Sequence, residues 1–115
     1  MSLKIFHNPR CSKSRQTLQL IEENGITPEV VEYLKNPPTA GEINEITILL
    51  GISPRELLRT KEAEYIAQGL DNMALSDDEI IEIMVNYPKL IERPIVMNGG
   101  QAIIGRPPEK VLELI

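Results

Sequence analysis

The stretch Asn8-Pro9-Arg10-Cys11-Ser12-Lys13-Ser14-Arg15 constrains this 115-residue chain more than any other. An apolar run, Leu3-Lys4-Ile5-Phe6, leads into it, and a helical pattern, Thr17-Leu18-x-Leu20-Ile21, leads out. A strand that turns into a helix aims the helix's first, unpaired N–H groups at the turn. Those donors and the positive end of the helix dipole favour an anion there. The single cysteine of the chain stands in that turn, and its thiolate is the reactive form. Arg10, Lys13 and Arg15 add positive charge, and His7 lies four residues upstream. A lone cysteine is most often a small buried apolar residue. Polar and cationic neighbours are poor company for a core, so the stretch reads as a nucleophilic thiol in an anion cradle.

Composition narrows the rest. A chain of this length suits one domain with one core, and an apolar share of 42% is enough to build it. No apolar run approaches a membrane span and no signal peptide opens the sequence, so neither a membrane nor export is expected. One cysteine cannot form an internal disulfide, which fits a reducing, cytoplasmic setting. With one Cys and one His in the chain, no metal site is expected. A net charge of −5, no Trp and one Phe argue against nucleic acid, which is bound by basic faces and aromatic stacking platforms. Several arginines stand at junctions instead of helix faces: Arg10, Arg15, Arg59, Arg93 and Arg106. In an acidic protein such arginines can gather around one anionic substrate. Scattered surface charge is the plainer reading of any one of them.

Element signals follow in order. Residues 3–6 read as a strand, Ser12 to about Asn24 as a helix stopped by Gly25, and Pro28–Tyr33 as a second strand, together a βαβ unit with parallel strands. Thr39-Ala40-Gly41-Glu42 has the spacing of a capping box, with Ile43, Ile46 and Leu50 on one face and Gly51 as the stop. Ser53-Pro54-Arg55-Glu56 opens another helix, about Glu62–Gln68 a short one, and Ser76-Asp77-Asp78-Glu79 a third capped one. In that last helix Ile80, Ile83, Met84 and Tyr87 form the apolar stripe, and Pro88 closes it. Pro94-Ile95-Val96-Met97 and Gln101-Ala102-Ile103-Ile104 flank the hairpin signal Asn98-Gly99-Gly100, and Pro107-Pro108 opens a last helix. The order predicts an α/β, thioredoxin-like fold with a mixed four-stranded sheet. Its sheet-forming parts are about 1–38 and 89–115 of a single domain, with a helical insertion at about 39–88.

The motif His7-Asn8-Pro9-x-Cys11-x-x-Ser14-Arg15-x-Thr17-Leu18 resembles the opening of the glutaredoxin-coupled arsenate reductase family. Glu92-Arg93-Pro94-Ile95 resembles its second motif, Gly105-Arg106-Pro107 its third, and Leu57-Leu58-Arg59 with Lys61 its arginine segment in the helical insertion. The resemblance covers nearly the whole chain. Some members carry a longer C-terminal tail, on which the chemistry is not expected to depend.

That resemblance implies roles. Cys11 matches the nucleophile, and Arg59, Arg93 and Arg106 match the arginines that hold the oxyanion and its thiol adduct. His7 matches a residue that helps to lower the thiol pKa, Ser14 and Arg15 match polar members of the anion loop, and Pro94 matches a cis proline beside the active cysteine. It further implies arsenate or a similar small oxyanion as substrate, no bound cofactor, glutathione as co-substrate and glutaredoxin as partner. Two other readings share the motifs. One is a related thiol-dependent reductase of another substrate. The other is a transcription regulator of the same superfamily that binds RNA polymerase, although Ser14, where the redox-sensing regulators have a second cysteine, rules out an internal disulfide switch. Cysteine phosphatases place an arginine six residues after the nucleophile. Thr17 stands there, so that chemistry is not expected.

Overall fold

Four strands frame the part of the molecule that carries Cys11. The computed structural model describes residues 3–115. The chain divides into two compact units, one running to Asn36 and resuming over Arg93–Ile115, the other formed by Pro37–Glu92. In the first, β1 (Leu3–His7), α1 (Ser12–Glu23) and β2 (Glu29–Glu32) make a βαβ crossover, with β1 and β2 parallel and His7 opposite Glu32. β3 (Ile95–Asn98) runs antiparallel along the other side of β1, and β4 (Gln101–Ile104) antiparallel to β3. The sheet order β2-β1-β3-β4 is the thioredoxin-like arrangement that the sequence predicts.

Side-chain periodicity sets the core. Leu3 and Ile5, two residues apart, face the same way as Val96 and close on Ile21 of α1 and on Val111 and Leu114. Each such side chain, fully buried, contributes roughly 1.5–3 kcal/mol. Phe6 and Ile95, on the opposite face, are buried as well. β1 therefore reads as an apolar run and not as a clean alternation. Gly99, with φ at +62°, takes the first of the two positions between β3 and β4, where a tight hairpin needs left-handed backbone.

The second unit holds α2 (Ala40–Leu50), a 3₁₀ turn (Pro54–Leu57), α3 (Ala63–Ala67), α4 (Asp77–Asn86) and a 3₁₀ turn (Pro88–Leu90). Two of the three expected caps form as capping boxes, while the Ser53 side chain makes no cap bond. Thr39 Oγ1 accepts the Glu42 N–H at 3.1 Å while Glu42 Oε1 accepts the Thr39 N–H at 3.0 Å, and Ser76 and Glu79 repeat the exchange at 3.2 and 2.9 Å. Ile43, Ile46, Leu57, Ile80, Ile81 and Met84 are buried.

Three details differ from expectation. α4 buries Ile81 and leaves Tyr87 38% exposed, because the helix ends at Asn86 and Tyr87 leaves helical geometry at φ −132°, ψ 72°. Ser53–Glu56 opens only a 3₁₀ turn. Leu58 is already extended and bridges Ile91, with the Arg59 N–H donating to Leu90 O at 2.8 Å and the Glu92 N–H to Leu57 O at 2.9 Å. The last helix, Pro108–Glu113, is also 3₁₀; a run that short gains little from the longer α-helical ladder.

Candidate active site

β1 delivers the chain to the turn, and α1 takes it away. The Cys11 N–H donates to Asn8 O at 3.0 Å and closes the turn, and Cys11 O accepts the Arg15 N–H at 3.0 Å. Cys11 is thus the N-cap of α1, with extended backbone at φ −94°, ψ 121°. The first turn of α1 holds no acidic residue, so no carboxylate there competes for the positive helix end.

Four side chains brace the turn. Ser14 is fully buried; its Oγ accepts the Asn8 N–H at 3.0 Å and lies 2.6 Å from His7 Nδ1. Arg15 Nη1 donates to Pro9 O at 2.9 Å. Asn8 Oδ1 accepts the Arg10 N–H at 3.0 Å. Thr17 Oγ1 bonds Lys13 O at 2.8 Å and lies 3.4 Å from Gly105 O. The resemblance makes Ser14 and Arg15 members of the anion loop; in the structure the Ser14 hydroxyl and one Arg15 nitrogen, Nη1, hold that loop in shape.

The second and third motifs meet in the same unit. The Arg93–Pro94 and Arg106–Pro107 bonds are both cis. The Gly105 N–H donates to Pro94 O at 2.9 Å, and Arg106 Nη1 reaches Arg93 O at 3.4 Å. A side chain at Gly105 has no room: a Cβ would stand 2.5 Å from Thr17 Oγ1 and 2.9 Å from Pro94 Cγ.

The Cys11 thiol is half-buried, and burial pushes its pKa up. Against that act the Ser14 N–H, the Arg93 charge, the Lys13 N–H and a hydrogen bond from the Arg93 side chain, and the outcome lies below the ordinary 9.0. The two N–H groups act on the sulfur as facing dipoles, short of a formal capping bond. His7 is held below its ordinary 6.5 mainly by burial; Glu32 and Glu22 raise it and Arg15 lowers it. Its imidazole is accordingly neutral at neutral pH, so it lends the thiol no positive charge, and its link to Cys11 runs through Ser14 and the turn.

Arg59 belongs to the second unit. Its Nη1 lies 2.7 Å from Glu62 Oε1 and 3.4 Å from Lys89 O. Glu62 escaped the reading of the sequence, although its spacing of three from Arg59 is that of a side-chain pair. The bracing roles of Asn8 and Thr17 also escaped it. For Asn8 the signal was present, since an Asn-Pro step marks a turn whose asparagine side chain bonds the backbone two residues on. Among the described residues no group of three or more His, Cys, Asp or Glu stands together as a metal site, and no helix is long and apolar enough to cross a membrane.

Comparison with known proteins gives a consistent neighbourhood. Residues 6–114 match the ArsC family. The chain is 53% identical over 114 residues to the uncharacterized protein YfgD of Escherichia coli, covering 98% of this chain and 96% of that one. It is 47% identical over 116 residues to an arsenate reductase of Haemophilus influenzae, covering 100% of both. Its fold superposes on an arsenate reductase from Vibrio cholerae with a TM-score of 0.97 at 48% identity, over 100% of this chain and 98% of the other.

Proposed function

Because the chain belongs to the ArsC family, we propose that it reduces arsenate to arsenite, with Cys11 as nucleophile and thiols from outside the chain as the source of electrons. The observation that carries the reading is the placement of Cys11: a lone thiol at the head of α1, held toward its ionised form by N–H dipoles and by Arg93 in spite of partial burial. Arsenate is a tetrahedral oxyanion, and guanidinium groups and helix N-termini suit such anions. Arg93 and Arg106 supply that charge within the thiol's own unit, and the resemblance gives Arg59 the same kind of role.

The Cys11 thiolate attacks arsenic, a sulfur–arsenic bond forms, and one oxygen leaves as water after taking up protons. Glutathione then ligates the arsenic and displaces a second oxygen as water. A glutaredoxin thiolate attacks the glutathione sulfur; the new disulfide takes that sulfur, and the electron pair of the broken bond stays on arsenic, now trivalent. Water releases arsenite and returns Cys11. Two thiols are oxidised to one disulfide and one arsenic is reduced by two electrons.

The test is an assay that couples arsenate reduction through glutathione and glutaredoxin to NADPH oxidation, run beside Cys11→Ser. Arsenate-dependent oxidation with the native chain and none with the variant is the expected result. Equal rates for both would remove Cys11 from the chemistry. No arsenate-dependent rate with either would shift the reading to a related thiol-dependent reductase with another substrate.

A further inference from the structure

Within the first unit, a groove of about 250 Å³ opens at the C-terminal ends of the parallel strands β1 and β2. That end of an open α/β sheet is where ligands bind. One wall is His7 and the Asn8-Pro9-Arg10 turn, which stops one residue short of Cys11; the other is Glu32, Leu34 and Lys35. Neither Lys35 nor Glu32 takes part in the proposed reaction. The second wall has a fixed frame, since Lys35 and Asn36 both donate their N–H groups to Glu32 O, at 2.9 and 3.0 Å. The groove therefore presents two cations, one carboxylate and one half-exposed leucine next to the turn that leads to Cys11.

We propose that this groove seats the reducing thiol, as a small peptide that carries two carboxylates and one ammonium group. Its charges are the mirror of the groove's: carboxylates toward Arg10 and Lys35, ammonium toward Glu32, methylene groups over Leu34. The assignment rests on the reading that an external thiol resolves Cys11. Lys35 Nζ lies 3.8 Å from Glu32 Oε1, with side chains 77% and 42% exposed. An exposed pair of this kind is worth little, so it parts readily for a ligand that satisfies both groups. The attraction between exposed charges is screened by salt, so affinity falls as ionic strength rises.

The experiment titrates the isotope-labelled full chain with S-methylglutathione, which has the peptide's charges but no free thiol, and follows backbone amide shifts. The expected result is perturbation centred on Asn8, Arg10, Glu32, Leu34 and Lys35. Affinity should weaken roughly threefold to tenfold in Lys35→Glu and in Arg10→Glu. Lys35→Gln should weaken it less, and Lys110→Glu, outside the groove, should leave it unchanged. Shifts centred elsewhere, or an affinity indifferent to both charge reversals, would overturn the assignment. A second arm separates it from the reading it rests on. If the groove binds the peptide but arsenate is not reduced, the groove stands and the proposed reaction falls. If arsenate is reduced with glutathione while Lys35→Glu leaves the KM for glutathione unchanged, the groove falls and the reaction stands.

Discussion

One thiol and one imidazole make this site easy to interrogate, because the chain has a single cysteine and a single histidine. Arg93 lowers the Cys11 pKa both by charge and by a hydrogen bond. Arg93→Ala should therefore raise it and slow alkylation by iodoacetamide at neutral pH by about fivefold, the worth of one charge-assisted hydrogen bond discounted for solvent. An unchanged alkylation rate would take Arg93 out of the thiol's environment. Both titrating groups are depressed in the fold, so both destabilise it on acidification. Ionised Cys11 contributes fully above pH 9.0, and that contribution is lost as pH falls through its lower folded value. Neutral His7 contributes above 6.5 and loses its contribution as pH falls through its own lower folded value. The imidazole resonances should accordingly titrate with a midpoint below 6.5, and unfolding midpoints in urea should fall over the same acid window. A midpoint above 6.5 would mean that Glu32 outweighs burial.

Between elements, the decisive contact is the one that leaves no atom to spare. Gly105, just after β4, lies against Thr17 of α1 and against Pro94 at the entry to β3, so the three motifs converge on one glycine. Gly105→Ala should cost roughly 1–3 kcal/mol, as an overpacked core does. Adding Thr17→Ala, which removes two of the three crowding atoms, should recover part of that loss, and a strictly additive double variant would refute the contact. Thr39→Ala and Ser76→Ala should each cost about 1 kcal/mol through a lost helix cap, read as a lower urea midpoint with an unchanged slope. These caps were legible in the sequence because their partners lie three residues apart. So were the strands, the Gly25 stop and the hairpin at Gly99. What was not legible depended on distant partners. The pairing of Leu58 with Ile91, 33 residues along the chain, ends the 3₁₀ turn at Leu57, and nothing near Ser53 announces it. Likewise, Ser14 reads as a polar loop residue until the fold closes His7 and Asn8 over its hydroxyl.

At the scale of the whole molecule, the count of thiols governs what catalysis can be. Reducing one arsenate takes two electrons, and two thiols supply them by joining as a disulfide. This chain owns one, and the position three residues on, where a resolving cysteine would sit, is filled by Ser14, whose buried hydroxyl is already committed to the turn. The chain alone thus has no route past the Cys11 adduct except through a second copy, and a disulfide between two copies would end the reaction there. With arsenate and no added thiol, arsenite should therefore not exceed one molecule for each pair of chains, and any that forms should be matched by disulfide-linked dimer on a non-reducing gel. Turnover should begin only when glutathione is added, and quicken when glutaredoxin follows. Sustained arsenite release by the purified chain without either would mean that a reductant other than an external thiol delivers the electrons to arsenic.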